Sequence, residues 1–140
     1  DSMLAQLMDQ YENTGYAQLA LLNKASFDAR NNNFELSLTH FKKLIDLTDG
    51  FGGNKIFNKI ARVSSSRLLM SNGEYDEALS MIELYSSGAT NGYIHELMGD
   101  ILAKQNKNEL AIVQYELASE KYNDETSQSI ISMKIANLGI

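Results

Sequence analysis

Two histidines, a run of serines, a glycine-rich loop and many carboxylates are the residues of this chain that could do chemistry. His40 and His95 stand far apart, and neither has a second histidine or a cysteine at the short spacing a metal site uses. His95 lies four residues before Gly99, where a packing side chain fits, so it is expected to be partly buried in a helix contact. The serines Ser64, Ser65 and Ser66 lack the glycine-flanked elbow that presents a nucleophilic hydroxyl. Gly50, Gly52 and Gly53 suggest a phosphate cradle, but that motif needs a following Lys-Ser or Lys-Thr and a preceding strand. They read instead as a linker, with Phe51 tucked against a neighbouring helix. Asp76, Glu77, Glu83, Glu96, Asp100, Glu109, Glu116 and Glu120 could supply a general acid only if one were enclosed by apolar residues. Their spacing suggests solvated helix faces. No catalytic residue, metal or cofactor is expected.

Composition narrows the class further. The 140 residues fit one domain with a real core. A hydrophobic fraction of 44% and a mean hydropathy of -0.28 are those of a soluble globular protein. Proline is absent, which favours helix. Cysteine is absent too, which removes disulfides, thiolate nucleophiles and Cys-based zinc sites. A net charge of -6 argues against nucleic acid, whose phosphates require clustered Lys and Arg. No stretch reaches the roughly 20 apolar residues of a membrane span. The chain opens on Asp1 rather than Met, as a fragment or processed form would.

The elements that would position these residues are helices. Asn72-Gly73 is a strong hairpin signal in isolation. Its flanks, however, follow helical spacing: Tyr75, Ala78, Leu79 and Ile82 fall at i, i+3, i+4 and i+7. Gly73 therefore reads as a left-handed helix stop, and the pair as a helix-to-helix joint. Asn32 and Asn106 occupy the equivalent place in two further units, giving joints spaced by 41 and 33 residues. A period near 34 is that of tetratricopeptide (TPR) repeats. Gly99, Ala111, Tyr115 and Ala118 match the small-small-aromatic-small pattern in the third unit. Gly73 and Ala78 match in the second, where Ser66 and Ile82 depart. Ala25, Ser37 and Phe41 match in the first, where Leu44 departs. Short side chains at a crossing let two antiparallel helices approach to about 8–10 Å.

The expected architecture is all-α: a TPR-like α-solenoid of about three helix-turn-helix repeats. Residues 1–14 form a preceding helix, 16–49 repeat 1, 54–87 repeat 2, 91–123 repeat 3 and 125–140 a capping helix. Leu4, Leu7, Met8 and Tyr11 give the first helix its apolar side. Ile131, Ile135 and Leu138 mark the last, and a solenoid end needs such a cap. The six methionines are expected in the core.

Lys55, Lys59, Arg62 and Arg67 fall on one helix of an otherwise acidic chain. In TPR geometry the first helix of each pair lines a concave groove. Ser26, Ala29 and Arg30 would face it from repeat 1, and Arg67 and Met70 from repeat 2. Tyr93, Glu96, Asp100 and Lys104 would face it from repeat 3. Arg30, Arg67 and Tyr93 could hold an acidic or C-terminal carboxylate peptide by charge-assisted bonds. Alternatively, Arg67 pairs with Asp100 and the groove is merely solvated.

The ending "MKIANLGI", with "IARV" at 60–63 and "GYAQLALL" at 15–22, resembles the YfgM family, the ancillary TPR-containing subunit of the bacterial SecYEG translocon. The likeness covers most of residues 15–140. It implies a short cytoplasmic start and one transmembrane helix upstream of Asp1. It also implies a periplasmic repeat domain at the inner membrane that works beside the membrane-anchored chaperone PpiD in protein export. It carries no catalytic residues. The expected function is thus a non-catalytic protein–protein interaction module. The alternative is a generic soluble TPR adaptor holding a peptide tail in its groove.

Overall fold

The computed structural model describes residues 2–88 and 91–139, so Asp1 and Ile140, the last residue of the C-terminal motif, lie outside the described residues. Among the described residues there are eight α-helices and no strand. They are α1 (Ser2–Tyr11), α2 (Gly15–Arg30), α3 (Phe34–Thr48), α4 (Lys55–Ser71), α5 (Tyr75–Ile82), α6 (Gly92–Lys104), α7 (Asn108–Lys121) and α8 (Glu125–Ala136). A single 3₁₀ turn, Glu83–Tyr85, extends α5. The chain divides into two compact units, Asp1–Leu68 and Leu69–Ile140.

The joints at Asn32, Gly73 and Asn106 have one geometry. Their φ angles are 60°, 81° and 61°. The amide after each bonds back five residues: Asn33 N–H to the Asp28 carbonyl at 2.8 Å, Glu74 to Leu69 at 2.9 Å and Lys107 to Leu102 at 2.9 Å. This is the Schellman stop, in which a left-handed residue lets the chain satisfy carbonyls that the helix end would orphan. Asn72-Gly73 is therefore a helix joint, and the hairpin alternative is excluded.

The helices that follow these stops, α3, α5 and α7, have no side-chain cap. Those entered from connections without such a stop do. Thr14 Oγ1 accepts from Ala17 N–H at the start of α2, Asn54 Oδ1 from Ile56 and Phe57 N–H at α4, Asn91 Oδ1 from Ile94 N–H at α6, and Asp124 Oδ2 from Ser127 N–H at α8. Each such cap contributes about 1 kcal/mol. Capping thus alternates with connection type along the repeat.

In the first unit, Ala17, Leu21 and Ala25 of α2 pack with Leu38, Phe41, Leu44 and Ile45 of α3. Ser37 sits at the crossing and donates its hydroxyl to the Ala25 carbonyl at 2.7 Å, so a small polar residue is both short enough and satisfied there. In the second unit, Leu102, Ala111, Tyr115, Ala118 and Ile131 form one cluster, joined by the half-buried Leu79, Tyr122, Ile135 and Leu138. Gly99 explains the α6–α7 approach: a Cβ there would lie 2.4 Å from the Tyr115 ring.

Two expectations are corrected. Phe51 is fully exposed instead of tucked, because its loop turns on Gly50 and Gly52 at positive φ and carries the ring away from the helices. Among the methionines only Met98 is buried; Met3 and Met133 stand largely in solvent.

Candidate functional site

Among the described residues, three clusters of ionisable side chains bridge helices, besides the more exposed pair Lys43–Glu12. In the second unit Lys134 of α8 reaches across to α6. Its Nζ lies 2.6 Å from Glu96 Oε2 and 2.9 Å from Asp100 Oδ1. Two tyrosines complete the group: Tyr115 donates to Asp100 at 2.8 Å and Tyr122 to Glu96 at 2.6 Å. Burial alone would lower the Lys134 pKa, but the two carboxylates outweigh it and raise it. Burial and then the carboxylates raise both tyrosine pKa values as well. Glu96 and Asp100, read from sequence as groove-facing, are thus brought together and neutralised by their own capping helix. Lys134 was not singled out in the sequence. The signal for it was faint: one cation on a helix whose exposed positions mix serine, threonine and glutamate with Ile130 and Met133.

In the first unit a carboxylate that was not singled out in the sequence is fully buried. Asp28 accepts from Lys24 Nζ at 2.8 Å, and its other oxygen lies 3.3 Å from His40 Nδ1. Burial pushes its carboxyl up, yet Lys24 and His40 overcome that and hold it below the ordinary value. The register gave this away: Ala17, Leu21, Ala25 and Asp28 share one buried stripe of α2. His40 therefore has a structural partner.

The third cluster anchors α4. Asn58 Nδ2 donates to Thr48 Oγ1 at 3.0 Å and Asp49 Oδ1 at 2.9 Å. Arg62 Nη2 binds both Asp49 oxygens at 2.8 and 3.0 Å. Burial raises the Asp49 carboxyl, and Arg62 and Asn58 more than compensate, so it is held low.

His95 is fully buried, more than expected. Its Nδ1 lies 2.8 Å from Gln114 Oε1, and Gln114 donates onward to the Ser86 carbonyl at 3.1 Å. Ser65 and Ser66 are buried small residues of α4. Of the remaining predicted groove residues, Arg30 and Arg67 are exposed in the first unit. In the second, Tyr93 and Lys104 are exposed and Met70 is half-buried.

The outer face of α4 is the surface these anchors leave open. Ala61 and Ser65 are fully buried on its packed side. Ile56, Ile60, Val63 and Arg67, at i, i+4, i+7 and i+11, lie opposite. Ile56 is 71% exposed and Ile60 40%. Nearby, a polar cavity of about 520 Å³ is lined by Asn13, Gln18, Asp49, Phe51 and Asn54 among others. Among the described residues no group of three or more His, Cys, Asp or Glu could hold a metal ion, and no helix is long and apolar enough to cross a membrane.

Comparison with known proteins agrees with the repeat pattern. A family model described as tetratricopeptide repeat-like domain matches residues 1–140. A curated protein of Aggregatibacter actinomycetemcomitans, named ancillary SecYEG translocon subunit, is 26% identical over 133 residues, covering 95% of this chain. The chain spans 63% of that relative's length. The relative is of the kind that the sequence motifs resemble.

Proposed function

The chain belongs to the tetratricopeptide repeat-like domain family, and on that premise we propose that it is a non-catalytic protein-interaction module of the bacterial protein-export machinery. In this reading it is the periplasmic domain of an ancillary subunit of the Sec translocon. A transmembrane helix upstream of Asp1 holds it at the inner membrane, where it acts with membrane-anchored chaperones on emerging polypeptides. The observation that carries the reading is how the side chains are used. Lys134 with Glu96 and Asp100, Lys24 and His40 with Asp28, and Arg62 with Asp49 all join helix to helix. Meanwhile Tyr16, Phe51, Ile56 and Leu110 stand in solvent, where a partner can cover them. The likeness to a translocon subunit along nearly the whole chain supports the choice of partner.

The test is retention from membranes. The tagged chain, incubated with detergent-solubilised bacterial inner membranes, should retain channel subunits and a membrane-anchored chaperone. Retention of soluble proteins alone would replace this reading with that of a soluble peptide-tail adaptor.

A further inference from the structure

Helix α4 is electrically unlike the rest of the chain. It holds Lys55, Lys59, Arg62 and Arg67 and no Asp or Glu, in a protein of net charge -6. Arg62 is drawn to the packed side by Asp49, while Lys55 and Arg67 are exposed beside the exposed Ile56 and Ile60, with Val63 half-buried at the edge of the stripe. From Ile56 to Arg67 the stripe runs about 16 Å, three helical turns. Isoleucines left in solvent between cations are the complement of an amphipathic helix that is apolar on one side and acidic at its edges.

Resting on the reading of this chain as a protein-interaction module, we propose that the outer face of α4 docks an acidic amphipathic helical segment of a partner protein. The partner's apolar side chains at i, i+3/i+4 and i+7 cover Ile56, Ile60 and the edge of Val63, and its carboxylates meet Lys55 and Arg67. Charge selects this occupant over a second copy, since laying α4 on α4 would set like charges against each other.

The probe is a fluorescent peptide of about 18 residues, long enough for five turns, with Leu at helical spacing and Glu on the flanks. Controls are its composition-matched scramble and a version with Lys in place of Glu. By anisotropy the acidic peptide should bind at least about tenfold tighter than either control, and weaken on raising salt to about 0.3 M. The double variants Lys55→Glu/Arg67→Glu and Ile56→Ser/Ile60→Ser should each lose roughly tenfold while melting as the wild type does, since all four positions are exposed. Equal binding of the scramble, or unchanged binding by either variant, overturns the proposal. So does a wild-type dimer in sedimentation, or flotation with phosphatidylglycerol vesicles, that the charge variant abolishes; these identify a second copy or a lipid surface. In the membrane pull-down, equal retention of channel subunits by wild type and both variants sinks this surface and leaves the interaction module standing. Retention by none sinks the module itself.

Discussion

Replacing Lys134 with Met should destabilise the second unit by an amount its geometry sets. The wild-type ammonium touches Glu96 at 2.6 Å and Asp100 at 2.9 Å, and the three side chains are 30%, 19% and 30% exposed. A charge-assisted bond in a dry site contributes about 1.5–3 kcal/mol and an exposed pair about 0–1 kcal/mol. Partial exposure places this pair of contacts near the middle, about 1.5 kcal/mol together. Met keeps most of the aliphatic stem, so little packing is lost. What remains is two carboxylates one helical turn apart, held only by tyrosine hydroxyls. A loss of about 1.5 kcal/mol lowers Tm by roughly 5 °C for a chain of this size. Thermal melts followed by circular dichroism at pH 7 would read it. Adding Glu96→Gln to Lys134→Met should recover part of the loss, because it removes the repulsion that Met exposes. The loss should also shrink in high salt. A Lys134→Met variant melting within about 1 °C of wild type, or a double variant no better than the single, refutes the argument that this cluster holds α8 to α6.

Three further outcomes follow from the same coordinates. Gly99→Ala should cost about 1–3 kcal/mol, because its methyl would meet the ring of a tyrosine that is buried and tethered to Asp100; denaturant melts measure it. Asp28 has its carboxyl pKa lowered in the fold, so its contribution to stability is complete above the ordinary value of 3.8 and disappears as pH falls through the lower folded value; acid titration of wild type against Asp28→Asn should show the wild type losing its advantage in that window and not near neutrality. Phe51→Ser should change stability by less than about 0.5 kcal/mol, since the ring is wholly exposed, and a larger loss in a denaturant melt would mean that it packs.

What could be read from the sequence was what local interactions decide. A left-handed stop needs only a glycine or asparagine and the few residues before it, so the stops at Asn32, Gly73 and Asn106 are visible in the sequence. The small residue at a crossing is nearly as local, because the repeat period says where its partner lies: Gly99 faces Tyr115 sixteen positions on. The polar clusters were harder. Lys134 meets Glu96 across 38 positions, and the spacing within α8 does not point toward α6. Asp28 was an intermediate case. It was not singled out in the sequence, although it shares the buried register of Leu21 and Ala25, and its i, i+4 partner Lys24 lies on the same helix. Its charge can lie in the core because Lys24 Nζ lies 2.8 Å from one carboxylate oxygen and His40 Nδ1, arriving from α3, 3.3 Å from the other.

That division bears on the candidate binding surface. The repeat pattern treats Glu96, Asp100 and Arg67 alike, and Ile56 and Ile60 lie on the same helix as Arg67. They differ in what the chain itself supplies. The carboxylates of α6 meet a lysine from their own unit at hydrogen-bond distance, so a partner's cation would first have to displace it and would gain only the difference between two similar contacts. The isoleucines of α4 remain exposed, and covering them gains the transfer of apolar surface from water, about 25 cal/mol per Å². A partner arriving at this chain therefore has more to gain on α4 than on the acidic face of α6. Lys134→Met reverses part of that inequality, and would turn Glu96 and Asp100 into a site for a basic segment that the wild type does not bind.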